Sequence, residues 1–354
     1  MGERKKIAVI GGDGIGPEVV REASRLLEQY KERGLPIELW QLDLGAERFL
    51  RDGTTLPKEI FIAIQRECAA VLLGALGDPR VPSMDHARDI LFGMRFGLDL
   101  FANIRPVKCL SDRLVPLKGR TKDDVNFVVF RENTEGVYVG VGGQVRRGTP
   151  DEIAINEDVN TRKGVERIIR AAFEFARKNG RKRVHMADKS NAMRHAHELW
   201  FRVFDEVKRE YSEITASHVY IDALCLYVVQ DPSQFDVIVT NNLFGDIVTD
   251  LGAGLQGGLG MAASANVHPG DTARVGLFEP VHGSAPPLAG KNVANPFAAM
   301  LTVGMMLTHL GYPEEEARIE VAVGAALEAG KCTKDVGGSL STEEAGAAVR
   351  ELLG

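Results

Sequence analysis

The chain has 354 residues and a mass of 38.6 kDa, enough for two ordinary domains. Its 44% hydrophobic and 26% charged residues exclude a disordered chain and supply a core that needs no staples. The net charge of −6, without a long basic run, argues against nucleic-acid binding.

The opening reads as strand, turn and helix. Lys6–Ile10 is β-branched, Gly11–Gly16 is a glycine-rich turn, and Pro17 suits a first helical turn. The first twelve residues contain too short an apolar run for a signal peptide. A strand is predicted at Ile37–Leu42, a helix at Lys58–Arg66, and a strand buried on both faces at Ala69–Leu73. Asn126–Phe130 predicts a strand. Gly140–Ile155 breaks the pattern and reads as a hairpin arm or a surface loop. A helix is predicted at Arg162–Lys178, a strand at Arg183–Ala187 and a helix at Ala192–Glu210. His218–Ile221 and Phe235–Thr240 are predicted strands, each followed by a helix. This β–α alternation predicts an α/β protein with a mainly parallel sheet. Gly252–Gly260 is glycine-rich enough to suggest a pivot rather than a helix. The uncharged stretch between Lys291 and Glu314 is interrupted by polar residues. It falls short of the roughly 18–20 apolar residues a membrane span needs and predicts a buried helix. Pro296, Pro313 and Ser341–Thr342 mark the starts of the last helices. Cys68, Cys109, Cys225 and Cys332 lack zinc or redox spacing, which suggests free thiols in a reducing, cytoplasmic setting.

The turn at Gly11–Gly16 invites a phosphate-loop reading that the residues refuse. A dinucleotide G-x-G-x-x-G counted from Gly12 places Pro17 where the last glycine belongs, and Gly16 is followed by Pro17 rather than Lys. Asp246 and Asp250 lie four apart on a predicted helix, so their carboxylates share a face and repel. Mg²⁺ or Mn²⁺ resolves that conflict, with Asp222 a third candidate ligand. A solvated acidic face is the plainer alternative. Arg95, Arg105 and Arg131 stand in apolar surroundings, where each takes either a substrate carboxylate or an internal partner such as Asp99 or Glu132. Lys189, after the strand Arg183–Ala187, is either an acid–base group or a surface lysine, and Tyr138 alone reads as a half-buried strand tyrosine. His195 and His197, two apart on a helix, face different ways and are not a metal pair.

Six segments in one order resemble the metal-dependent β-decarboxylating dehydrogenases, the family of isocitrate, isopropylmalate, homoisocitrate and tartrate dehydrogenases. They are Gly12–Glu18, Asp99–Pro106, Arg131–Tyr138, Asp188–Asn191, Asn242–Asp250 and Glu279–Pro286. The resemblance implies a two-domain, isopropylmalate-dehydrogenase-like α/β fold with mainly parallel, non-Rossmann sheets. It places 1–100 and 258–354 in a first domain with the termini and the cofactor loop. Residues 101–257 form a second, with the dimer interface, the metal aspartates and the arm 140–155.

The resemblance also implies site roles. Arg95, Arg105 and Arg131 would grip substrate carboxylates. Asp246 and Asp250 would bind Mg²⁺ or Mn²⁺ in one subunit of a homodimer, with Asp222 supplied by the other. Lys189 and Tyr138 would be the acid–base pair. His282, Gly283, Ser284, Ala285, Pro286, Ala294 and Asn295, with Asn191, would hold a nicotinamide cofactor. Pro287 and Leu288 match neither the NAD nor the NADP pattern, while Ala294 matches NAD, so NAD is expected ahead of NADP. The implied reaction is oxidative decarboxylation of a 2-hydroxy acid. Leu91 and Phe92 before Arg95 offer apolar area that favours isopropylmalate over isocitrate, homoisocitrate or tartrate. A non-catalytic regulatory subunit would have lost a metal aspartate or the lysine, and this chain keeps all of them.

Overall fold

The computed structural model describes residues 4–354, so Met1–Glu3, the start of the expected first domain and of the segment tested as a leader, lie outside the described residues. In chain order the strands are β1 (Lys5–Ile10), β2 (Ile37–Leu42), β3 (Cys68–Leu73), β4 (Ala102–Lys108), β5 (Asn126–Glu132), β6 (Gly142–Val145), β7 (Ile153–Asn156), β8 (Arg183–Asp188), β9 (Thr215–Tyr220), β10 (Val237–Thr240), β11 (Ala263–Val267) and β12 (Gly276–Pro280). The helices are α1 (Gly16–Glu32), α2 (Ala46–Asp52), α3 (Lys58–Glu67), α4 (Asp85–Gly97), α5 (Arg162–Lys178), α6 (Arg194–Lys208), α7 (Ile221–Gln230), α8 (Asn242–Leu255), α9 (Phe297–His309), α10 (Pro313–Glu328) and α11 (Thr342–Leu353). The expected α/β class is observed. No helix among the described residues is long and apolar enough to cross a membrane.

The chain divides into two compact units. One comprises the chain up to Leu100, Pro106–Val125 and Ala253–Gly354; the other comprises Phe101–Arg105 and Asn126–Gly252. Residues 106–125 and 253–257, which the expected boundaries put in the second domain, pack in the first unit. Polar anchors hold them there: Lys108 to Glu320, the Lys108 amide to Gln256, and the Ser111 hydroxyl to Glu328 at 2.6 Å.

In the first unit the strand order is β2-β1-β3-β12-β11. β1 runs parallel to β2 and β3, and β3 parallel to β12; β11 pairs antiparallel with β12. Ala8, Ile10, Val71, Leu73 and Leu277 join Ile90, Met94 and Leu98 of α4 in one core. The uncharged stretch is α9, which packs on α1, α10, β11 and β12 and is buried over most of its length.

The second unit has the order β4-β5-β10-β8-β9, with β10 parallel to both β5 and β8, and β8 parallel to β9. One face of α5 (Val165, Ile168, Ile169, Ala172, Phe173) and the Trp200 and Phe204 side chains of α6 fill its core. The segment 140–155 is a hairpin: β6 and β7 pair antiparallel and are wholly exposed. The pivot expected at Gly252–Gly260 does not begin at Gly252. α8 continues to Leu255, because Val248, Ala253 and Leu255 are buried and a glycine at 254 meets open space. All four cysteines are free thiols.

His185 of β8 packs edge-on against Phe235, and its Nδ1 is buried without a partner. Burial, with Arg183 adding to it, pushes the imidazole pKa down to about 4. The unfolded chain titrates near its ordinary value, so it binds the extra proton between about pH 6.5 and 4. The native state therefore holds its full stability above about pH 6.5 and loses up to about 3 kcal/mol as the pH falls to 4. Denaturant melts of His185→Gln should show a flatter acid limb; an identical limb would assign the loss to other groups.

Candidate active site

Arg131, Lys189 and Asp222 stand at or just past the carboxyl ends of parallel strands, where open α/β sheets bind ligands. Register decides which of them meet. Arg131 of β5 lies opposite Thr240 of β10, so the chain leaving β10 starts α8 beside the arginine. The Arg131 stem then crosses α8 at Gly245, where a Cβ would lie 2.6 Å from the arginine side chain. Its Nε donates to Asn242 at 2.9 Å and its Nη1 to Asp246.

Arg105, from β4, reaches the same carboxylate, with Nη1 3.3 Å from Asp246. Its Nε donates to Asn103 and its Nη1 to the Thr249 hydroxyl, both at 2.6 Å. The Tyr138 hydroxyl donates to Asp246 at 2.8 Å, and the Arg131 guanidinium lies over its ring. Tyr138 sits in a short 3-10 turn, half-buried, not on a strand. Burial, and then its bond to Asp246, push the phenol pKa up, so it is a proton donor at neutral pH. The internal partner of Arg105 and Arg131 is therefore Asp246. Glu132 instead accepts the amides of Thr134 and Glu135.

Asp250 follows Asp246 by one helical turn at an exposed position of α8. Partial desolvation, then the Asp246 charge, push its carboxyl pKa up. Two repelling carboxylates on one face, beside no soft ligand, are a donor set that suits a hard divalent cation, which would relieve the repulsion. Among the described residues no group of three or more His, Cys, Asp or Glu side chains gathers to hold a metal. Asp222 therefore does not join Asp246 and Asp250 within the chain.

Asp222 lies elsewhere in the second unit. Asp188 at the end of β8 pairs in register with Tyr220 at the end of β9, so the next residues of both strands meet. Lys189 Nζ donates to Asp222 at 2.7 Å, and the lysine lowers that carboxyl's pKa from its ordinary value. The Lys189 amide donates to Nδ1 of the buried His197 at 2.8 Å, and Asp188 receives Ser190 and His218. Asn191 is exposed on the same turn, as is His195, so His195 and His197 indeed face different ways.

In the first unit Arg95 is buried and pairs with Glu279 at 2.7 Å, not with Asp99, which meets His268. Phe92 stands over the Arg95 guanidinium and stacks on Phe96, while Leu91 packs partly against the core of the unit. The apolar surface at the Arg95 guanidinium is thus that of Phe92.

The loop 282–295 also lies in the first unit. His282 is buried, its Nε2 has no partner, and burial pushes its pKa down, so it presents a neutral ring with an unused nitrogen. A Cβ on Gly283 would meet nothing, Ala285 has φ +40°, and Pro286–Leu288 make one 3-10 turn. Ser284 and Ala294 are buried, and the Asn295 side chain accepts the Phe297 amide at 3.0 Å. An orphaned buried nitrogen beside open backbone fits a nicotinamide cofactor's purine end.

Asn103, Asn242 and Thr249 escape a reading of the sequence, because neutral polar residues carry no spacing signal of their own, and the spacing of His197 raises only a metal-ligand reading. Their one marker is adjacency to Arg105, Asp246 and Lys189.

Residues 6–349 match the isocitrate/isopropylmalate dehydrogenase family. A 3-isopropylmalate dehydrogenase of Streptomyces griseus is 45% identical over 344 residues, 96% of this chain and 98% of that protein. One from Corynebacterium efficiens is 48% identical over 342 residues, 96% and 97% of the two chains. A solved isocitrate dehydrogenase from Methylococcus capsulatus aligns with a TM-score of 0.89 at 36% identity over 99% of each chain. The chain belongs to the isocitrate/isopropylmalate dehydrogenase family.

Proposed function

We propose that the protein oxidatively decarboxylates 3-isopropylmalate to 2-oxoisocaproate, a step of leucine biosynthesis, with NAD as hydride acceptor and Mg²⁺ or Mn²⁺ as metal. The observation that carries this reading is the convergence of Arg105, Arg131 and Tyr138 on Asp246. A substrate carboxylate replaces Asp246 as partner of the two arginines, and the carboxylate of Asp246 becomes free, with Asp250, to hold a cation. Asp246 and Asp250 would hold the cation, which would supply Lewis-acid polarisation of the 2-hydroxyl, and the loop 282–295 would hold the nicotinamide, which would supply the hydride acceptor for C2. Lys189, once its ammonium proton has passed to solvent, would take the hydroxyl proton on its neutral amine as C2 is oxidised. The carboxylate on C3 then leaves as CO₂, and Tyr138 returns a proton to C3. Atoms balance as one hydride, one proton and one CO₂ lost, and one proton gained.

Lys189 and Asp222 make one cluster, Tyr138 and Asp246 another. In a homodimer each site would combine one cluster from each subunit. Leu226, Tyr227 and Val229 of α7, Ile247 of α8, and Val145, Ile153 and Ile155 of the hairpin are exposed apolar side chains, which supports such an interface.

Substrate choice rests on Leu91 and Phe92. Neither hydrogen-bonds a third carboxylate, whose unpaired burial costs several kcal/mol, whereas an isopropyl group gains about 25 cal/mol per Å² buried. Purified protein assayed with each acid should show kcat/KM for 3-isopropylmalate at least about tenfold above that for isocitrate. A preference for isocitrate, homoisocitrate or tartrate would overturn the pocket assignment.

A further inference from the structure

The loop 285–295 has a backbone that cannot hold itself. Ala285, Gly290 and Asn292 have φ of +40°, +74° and +55°, and the Ala285 side chain disfavours that region. Its internal hydrogen bonds close only the first turn, from Leu288 to Ala285, Ala289 to Pro286 and Lys291 to Leu288. Beyond Lys291 every bond that fixes its path goes to another element.

One of those elements is α1. The Glu18 carboxylate, in the first turn of α1, accepts two backbone amides of the loop. Gly290 donates to Oε1 at 2.5 Å, and Asn292 to Oε2 at 3.1 Å. The turn before α1 grips the loop's root, where Ile15 donates to the Ser284 carbonyl at 2.8 Å. That approach is so close that a Cβ on Gly14 would lie 2.0 Å from the Ser284 oxygen. On the other side α11 completes the hold. Thr342 donates its amide to the Asn292 carbonyl at 3.0 Å and its hydroxyl to Ala294 at 2.7 Å, and Glu343 donates to the Asn292 side chain at 3.2 Å.

This also accounts for the glycine-rich turn that failed as a phosphate loop. Its glycines admit the backbone of Gly74 and Ala75, just after β3, and of Ser284 at the root of the loop. The segment Gly12–Glu18 thus works as a bracket, with Glu18 as its far prong.

We infer that Glu18 is a positioning residue for the nicotinamide cofactor: it holds the loop 285–295 in the binding-competent shape without touching the ligand. The inference rests on the reading of that loop as the cofactor's adenosine site. A carboxylate spanning two amides two residues apart pins the intervening Lys291 and the positive-φ Asn292 together. Removing it releases the loop to other conformations. Apparent affinity then falls by the fraction of molecules still competent.

The test is calorimetric titration with NAD and steady-state kinetics on the full chain. Glu18→Ala should raise Kd and KM for NAD about tenfold, while kcat at saturating NAD and KM for the hydroxy acid stay within about twofold. Glu18→Gln, which keeps one acceptor oxygen, should fall between, and serves if the alanine variant fails to fold. Unchanged NAD affinity in both variants, or an equal rise in both KM values, would overturn the inference while leaving the cofactor reading intact. An unmodified protein that binds neither NAD nor NADP would overturn the cofactor reading, and the inference with it.

Discussion

Asp246→Asn should lower turnover on the order of 100-fold at saturating Mg²⁺, and EDTA should abolish the activity of the unmodified protein. The carboxylate of Asp246 has two tasks in succession. Without substrate it is the shared partner of Arg105, Arg131 and Tyr138. On the proposed reading, substrate carboxylates would take those arginines and leave it to face Asp250 as half of a hard-cation site. An amide of the same shape keeps the packing and one acceptor oxygen but loses the charge both tasks need. Two controls separate them. Circular dichroism and a thermal melt report whether the buried Arg131 tolerates an uncharged neighbour. A titration with excess Mn²⁺ reports whether affinity alone is lost; partial recovery places the defect in metal binding. Full activity of the unmodified protein in metal-free buffer would remove the metal from the mechanism.

The α/β alternation is legible in the sequence because β1, β3 and β10 are short apolar runs buried on both faces. β11 and β12 are not. β11 alternates Ala263, Ala265 and Val267 with Ser264 and Asn266, which reads as half-exposed, yet all five residues are buried. The polar ones are satisfied inside: Ser264 donates to the Glu279 carbonyl at 2.7 Å, and Asn266 to the Leu277 carbonyl and the Glu279 carboxylate. β4 carries Pro106 within it, a residue that argues against a strand when read alone. The return of 106–125 to the first unit hangs on pairings such as Ser111 with Glu328, more than two hundred residues away, for which no local pattern exists.

The same line divides the site. That Asp246 and Asp250 share a face follows from helical spacing and needs no tertiary information. That Asp246, rather than Glu132, takes Arg131 follows from the β5–β10 register and from a glycine at 245, neither of which is visible in one sequence. Lys189 and Asp222 meet for the same kind of reason, the β8–β9 register. Arg95 is an intermediate case. Its burial among apolar residues called for an anionic partner, but that partner, Glu279, lies 184 residues along the chain. Chemistry of the residue types was therefore readable, and pairing was not.

That pairing sets up a second large effect, a split between two mutants that both lose activity. Lys189 stands against Asp222, and Tyr138 against Asp246. If Lys189 accepts the hydroxyl proton, Lys189→Met removes the base from the first chemical step. Hydride transfer should then fall by about 10²–10⁴-fold, with no keto acid formed. If Tyr138 supplies the later proton, Tyr138→Phe leaves that first step its base. Turnover should fall by a similar order, while NADH and keto acid still accumulate in a single turnover. The geometry supports this division, since the Tyr138 hydroxyl carries its proton and already donates it in a hydrogen bond to Asp246. Stopped-flow absorbance for NADH, paired with mass spectrometry of deuterium taken up at C3 in heavy water, reads the two steps separately. In Tyr138→Phe the NADH burst should survive and deuterium uptake should slow. Equal loss of the burst in both variants would mean that one relay serves both steps, and that Lys189 and Tyr138 do not act as separate base and acid.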